Sequence, residues 1–323
     1  MSTDVGDEHE QCRRLLEAWP LGEVTSIDRQ LGGATNRVYR VQASAGVRFL
    51  RIYRRADRAL AEREHALIAH ARRQGVPAMA PLPARSGSSV VETAGVVCAL
   101  YEAAEGTQLP NGGLGGNEAS AAGMCLGHLH RALQPLPDTA YLRWQIAWNG
   151  PEWVERLNVV ERALCLRGVL DDTDRWALER LRAQRQWLSH PNCVHMYEHS
   201  SPRQVVHGDY QASNLFFREG RVSAVIDWEQ AAFMPRGFEV ARACSFLFRL
   251  EPGLTRAFLS AYHETNPLDD AQREDGARAW GCFADHHVWP MEEAYLHGNA
   301  AARAFIPHVS FRPFLETWAG LGL

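Results

Sequence analysis

One stretch constrains this chain more than any other. Val205-Val206 leads into His207-Gly208-Asp209-Tyr210-Gln211-Ala212-Ser213-Asn214, and Leu215-Phe216-Phe217 leads out again. A second apolar run, Val225-Ile226, then delivers Asp227-Trp228. The apolar runs read as buried strands, so the polar residues between them sit on a tight loop held by a core. That loop and strand present a carboxylate, a carboxamide five residues later, and a second carboxylate after a short hairpin. The set suits a metal–phosphate problem. An Asp beside a hydroxyl can accept its proton, and an Asn with another Asp can hold the magnesium ions that bridge nucleotide phosphates.

The pattern resembles the catalytic and metal-binding loops of the aminoglycoside phosphotransferase, choline kinase and homoserine kinase group. Those loops read His-x-Asp-x-x-x-x-Asn and then Ile-Asp-Trp or Ile-Asp-Phe. Both halves are present here in order, which is far more specific than either alone. The resemblance implies an α+β, protein-kinase-like fold of two lobes. Residues 1–103 would form a small antiparallel-sheet lobe with one helix that covers the nucleotide. Residues 104–323 would form a larger, mainly helical lobe that carries catalysis and the acceptor. It further implies Asp209 as the base, Asn214 and Asp227 as magnesium ligands, and His207 as a brace for the loop.

Upstream, strand patterns over 24–53 surround Gly32-Gly33-Ala34-Thr35-Asn36. Gly33 lets backbone amides approach phosphates, and Thr35 and Asn36 add donors. Arg51 shares a strand face with Phe49 and Tyr53, where the related kinases place a cation against the phosphates. The sequence holds no lysine; all 34 basic residues are arginine. An arginine must therefore do this work, and its fork suits phosphate oxygens. Residues 57–74 read as a helix capped by Asp57 and stopped by Gly75 and Pro77. Glu64 falls on its apolar face, where a carboxylate needs a cationic partner; the resemblance suggests Arg51. The strand 96–101 runs into Glu102-Ala103-Ala104-Glu105-Gly106, which is similar to the interlobe hinge that receives adenine on backbone hydrogen bonds.

A helix over 117–133 ends in His128-Leu129-His130, and His130 reads as a core brace for the catalytic loop. The tryptophan-rich segment 141–190 is where acceptor choice would be built. Glu239 stands where related chains usually carry Asp, and pairing with Arg236 or Arg242 along the helix is the simple alternative. Cys193-x-His195-x-x-x-His199 matches no standard zinc spacing, so no zinc site is expected there.

The bulk properties agree with a globular enzyme. A net charge of −4 gives no reason to expect nucleic acid or an anionic membrane as partner. The seven cysteines are scattered and odd in number, which reads as reduced thiols in a cytoplasm. The N-terminus does not resemble a signal peptide, and no apolar run approaches about 18 residues. The expected activity is transfer of the γ-phosphoryl group from ATP, with Mg2+, to a hydroxyl of a small molecule. Aminoglycoside-like compounds, homoserine or other amino alcohols, and sugars all stay open as acceptors, as does GTP in place of ATP. The rival is an inactive nucleotide-binding module with a regulatory role, against which stands the presence of Asp209, Asn214 and Asp227 together. A protein kinase proper is disfavoured by the incomplete glycine pattern and the missing lysine. Oligomeric state is silent in the sequence.

Overall fold

A computed structural model of the chain describes residues 2–30, 36–110, 112–138, 141 and 145–323. Strands β1 (Val24–Arg29), β2 (Arg37–Ala43), β3 (Gly46–Ile52), β4 (Val91–Thr93) and β5 (Val96–Glu102) form one antiparallel sheet. Their order is β1-β2-β3-β5-β4. Strand alternation divides the sheet into two faces. Tyr39, Val41, Leu50, Ile52 and Leu100 pack on helix α1 (Ser2–Leu16) through Cys12, Leu15 and Leu16. Each such leucine or isoleucine contributes about 1.5–3 kcal/mol by leaving water. The opposite face carries Arg51, Tyr53, Val97 and Ala99 towards helix α2 (Arg58–Arg73). So the sheet is flanked by two helices: α2 as expected, and α1, which extends the short N-terminal helix read from the sequence to 15 residues.

Helix α2 starts where Asp57 accepts a hydrogen bond from the Leu60 N–H at 3.1 Å. Leu67, Ile68 and Ala71 recur at helical spacing and are buried. Their stripe faces the larger body of the protein rather than the sheet.

That body is mainly helical. Helices α3 (Gly116–Leu133), α6 (Arg236–Phe248), α7 (Pro252–Thr265) and α8 (Asp270–Asp285) surround the short strands β8 (Arg203–Val206), β9 (Leu215–Arg218), β10 (Arg221–Val225) and β11 (Ala232–Pro235). Helices α4 (Gly150–Cys165), α5 (Asp172–Leu188) and α9 (Trp289–Tyr295) make a second core around Leu157, Val160, Leu181 and Met291. A small hairpin, β6 (Ile146–Ala147) with β7 (Met196–Tyr197), leads from this part towards β8. Helix α10 (Phe314–Ala319) closes the chain against α8.

Two bridges fasten the β9–β10 hairpin to the sheet-bearing part. Val225 donates to Pro77 O at 2.7 Å and accepts from Met79 N–H at 3.0 Å. Thr107 and Phe217 exchange backbone hydrogen bonds of 2.9 Å. Among the described residues no helix is long and apolar enough to cross a membrane.

Candidate active site

The site begins with a backbone problem. β8 is buried against β11 and must release His207, Gly208 and Asp209 into a cleft. Gly208 has φ +82°, and a Cβ there would lie 1.9 Å from Gln230 O. Glycine is the residue that fits. Burial pushes the His207 imidazole below its ordinary pKa. Its Nδ1 accepts from the Asp209 N–H at 3.2 Å and its Nε2 donates to Ile226 O at 3.1 Å. The ring thus ties the Asp209 loop to the strand end that carries Asp227.

Glu239 on α6 anchors the same loop. It accepts from His207 N–H (3.0 Å), Gly208 N–H (2.5 Å) and His130 Nε2 (2.8 Å). His130 is steadied in turn by Tyr262 Oη at 2.8 Å from Nδ1. Burial alone would push the Glu239 carboxyl up, but these donors and the nearby positive charge hold it below the ordinary range. The simple helix pairing weighed from sequence is therefore not what forms. Arg236 turns to Asn266, Pro267 and Gln272, and Arg242 turns to Asp209. His130 braces the loop as expected, with Glu239 as the intermediary.

Asp209 is held on every side. Its Oδ2 accepts from Asn214 Nδ2 at 2.8 Å and Gln211 Nε2 at 2.9 Å. Its Oδ1 accepts from Arg242 Nη2. Asn214 sits in a short 3-10 turn, Ala212–Asn214, and its amide group also donates to Asp209 O at 2.8 Å. The carboxamide spends its N–H groups on Asp209, which leaves Oδ1 as a ligand for a cation. Arg242 is buried, its guanidinium 4.5 Å from the Phe246 ring centroid and 5.8 Å from that of Trp280. Its Nη1 is buried without a hydrogen-bond partner among the described residues.

Across the cleft, Arg51 gathers three carboxylates. Nη1 meets Glu64 at 2.8 Å, and Nη2 meets Glu229 at 2.8 Å and Asp227 at 3.1 Å. The expected Arg51–Glu64 pair is present and buried. Burial raises the Glu64 carboxyl above its ordinary value, with Arg51 pulling it back. Burial also raises Asp227, and repulsion from Asp209 and Glu229 adds to this against the pull of Arg51. Asp227 adopts φ +62°, a left-handed conformation unusual for a residue with a side chain. Such strain costs on the order of 1–3 kcal/mol and tends to mark functional positions. Asn36 closes the cluster, donating from Nδ2 to Glu229 at 2.5 Å and accepting from Arg54 N–H at 3.0 Å.

The donor set fits a divalent cation. Asp227 and Glu229 converge on one guanidinium, and Asn214 Oδ1 stands on the adjoining chain segment, where Ile226 N–H donates to Asn214 O at 3.0 Å. Carboxylate and carboxamide oxygens are the ligands that magnesium takes. Gly33 and Thr35 lie outside the described residues. Glu102 ends β5 exposed, in register with Arg48, and the chain beyond it reaches the Thr107–Phe217 bridge.

Residues 27–287 match the model of a family described as "Phosphotransferase enzyme family". The chain belongs to that family. Its activity is phosphoryl transfer to small molecules. Relatives of this phosphotransferase include a homoserine kinase from Mesorhizobium japonicum, 24% identical over 84% of this chain and 81% of that one. A homoserine kinase from Methylobacillus glycogenes is 24% identical over 94% of this chain and 93% of its own length. Among solved structures, a spectinomycin phosphotransferase in complex with ADP and spectinomycin superposes with TM-score 0.68 at 13% identity, covering 97% of this chain and 98% of the other. An amicoumacin kinase in complex with AMP-PNP and Ca2+ gives TM-score 0.62 at 16% identity, covering 98% and 99%. At those identities the likeness speaks for the fold, which is kinase-like.

Two site residues of this phosphotransferase escape a reading of the motif. Glu229 follows Asp227 by two positions in Asp-Trp-Glu, near enough along the chain for both acids to reach one guanidinium. That signal was there to be used. Arg242 gives none: it is one arginine on a helix, and only the fold brings it to Asp209.

Proposed function

We propose that this phosphotransferase moves the γ-phosphoryl group of ATP, with Mg2+, to the hydroxyl of a small acceptor that also carries a carboxylate, such as homoserine or a related hydroxy amino acid. The observation that carries this reading is the Arg242–Asp209 pair. Arg242 covers the Asp209 oxygen that an acceptor hydroxyl would meet, and its Nη1 has bonding capacity left over. By turning off Asp209, Arg242 would bring its fork, buried as it stands, to an acceptor carboxylate in the bidentate way that guanidinium favours. Asp209 Oδ1 is then released for the hydroxyl. A polycationic aminoglycoside would bring like charge to Arg242, so the same residue selects against it.

In this scheme Asp209 orients the hydroxyl and takes its proton, while Asn214 and Gln211 hold the carboxylate in place. Asn214 and Asp227 would hold magnesium, which would supply neutralisation of charge on the phosphate oxygens. Arg51, backed by Glu64, would turn from Asp227 and Glu229 to the phosphates. Asn36, with Gly33 and Thr35, belongs to the covering loop, and the backbone around Glu102 receives the adenine. The lobes divide near residue 103. Catalysis on this arrangement is positioning together with charge neutralisation.

The test is an ATP-consumption screen over homoserine, other hydroxy amino acids, amino alcohols lacking a carboxylate, sugars, nucleosides and aminoglycosides. Turnover is expected to concentrate in acceptors bearing both a hydroxyl and a carboxylate. Efficient aminoglycoside phosphorylation with no turnover of hydroxy acids would overturn the acceptor assignment.

A further inference from the structure

Away from the catalytic cleft, three metal-competent side chains meet in space. Cys193, His195 and His286 place one ligand atom each so that all lie within 4.8 Å of one another. His195 Nδ1 and His286 Nε2 are 2.8 Å apart. The residues come from two places: the segment leading into β7, and the C-terminal cap of α8, 91 positions later. Spacing along the chain could not show this, because His286 supplies the third group. His199, the nearer histidine in sequence, instead packs edge-on against Tyr197 and Phe238.

The surroundings are built around the cluster. His286 Nδ1 lies 2.7 Å from Cys282 O, so that nitrogen carries the proton and donates. Nε2 is therefore the acceptor of the hydrogen bond from His195 Nδ1–H, and its lone pair is the one a cation would take over. A histidine whose far nitrogen donates to a backbone carbonyl is the arrangement that orients metal-ligating imidazoles. The Trp148 ring stacks on His286, with centroids 5.6 Å apart, and Trp153 Nε1 donates to His286 O at 2.6 Å. His195 O accepts from Trp148 N–H at 2.7 Å. The His195 ring lies against the first turn of α4, where a Cβ on Gly150 would come within 2.7 Å of Nε2. A further thiol, Cys282, donates to Val194 O at 3.0 Å, on the residue between Cys193 and His195. His286 is buried and Cys193 and His195 are half-buried, so the cluster sits beneath the surface rather than on it.

We propose that Cys193, His195 and His286 form a zinc site that joins the β6–β7 hairpin to the end of α8. Two imidazole nitrogens and a thiolate suit borderline-soft zinc and disfavour magnesium, so the site is chemically separate from the phosphate cleft. Bond lengths of about 2.0–2.1 Å to nitrogen and about 2.3 Å to sulfur put tetrahedral ligand atoms about 3.3–3.6 Å apart. The ion enters by parting the two imidazoles by about half an ångström and drawing Cys193 inward. Binding displaces the thiol proton, shifts the His195 proton from Nδ1 to Nε2, and adds its free energy to folding of this corner.

The experiment uses the full chain. Protein from zinc-supplemented cultures is dialysed against metal-free buffer and assayed for metal by mass spectrometry. The wild type is expected to keep about one zinc per chain. Cys193→Ser and His195→Ala should fall to trace, and Cys165→Ser, at an exposed cysteine, should keep its zinc. Chelation should lower the melting temperature of the wild type and leave that of Cys193→Ser unchanged. If either variant fails to fold by circular dichroism, cobalt substitution of the wild type decides. A thiolate-to-cobalt charge-transfer band with tetrahedral visible absorption supports the site. Trace zinc in the wild type with no such band, or equal zinc in folded Cys193→Ser, overturns it.

Discussion

The two walls of the cleft handle charge in opposite ways. On the sheet side, Arg51 serves Glu64 together with Asp227 and Glu229 reaching over from beyond β10, so positive charge is short there. On the helical side, one carboxylate meets one arginine, so charge is balanced there and the arginine keeps an unused N–H donor. Under the proposed function, the first wall would meet cations bridged to phosphate and the second an anion next to a hydroxyl. Both arginines are buried, and on that proposal they would take reactants of opposite character.

The sharpest way to break this contrast is at the base. Asp209→Asn should keep the fold and lose on the order of 10²–10⁴ in turnover, measured in steady-state kinetics. Near-wild-type turnover would place the base elsewhere. Next comes the anchor shared by both walls. Glu239→Ala strands His130 and two buried N–H groups, and should cost about 3–5 kcal/mol in urea unfolding. A loss within experimental scatter would mean the loop holds itself.

The two arginines should then separate the walls. Arg51→Ala should raise the KM for nucleotide about tenfold to a hundredfold, and Arg242→Ala should do the same for the acceptor. Each should leave the other reactant's KM nearly unchanged. Crossed effects, with Arg242 governing nucleotide, would collapse the comparison.

The smallest effect is in pH. Burial holds His65 and His287 down at about 4, against 6.5 for a free imidazole. The unfolded chain therefore binds more protons, and the stability present above pH 6.5 is lost as pH falls towards 4. Asp285, pushed up to about 6 by burial, works in the reverse sense and offsets part of this. The net expectation is a urea midpoint that drops from pH 7 to pH 5; a flat midpoint would mean solvated rings.

The same contrast explains what was legible in the sequence. The sheet-side wall could be read because strand phase put Arg51 on one face and helix phase turned Glu64 inward. Asp209, Asn214 and Asp227 announced themselves by spacing. Arg242 and the Cys193–His195–His286 cluster could not be read, since each depends on a helix meeting a loop or extended segment distant along the chain. Glu239 lies between these cases. Its position was noticed, but a buried carboxylate does not declare which donors it will find. The fold class followed from the alternation of 24–53 and the apolar strands around 205–226, where local pattern and burial agree.

The β9–β10 hairpin is pinned on both sides, to Pro77 and Met79 through Val225 and to Thr107 through Phe217. Asn214 and Asp227 are mounted at its two ends. The two candidate ligands are thereby held in one register with each other, and Arg51, 3.1 Å from Asp227 and 2.8 Å from Glu229, ties the sheet to the same hairpin.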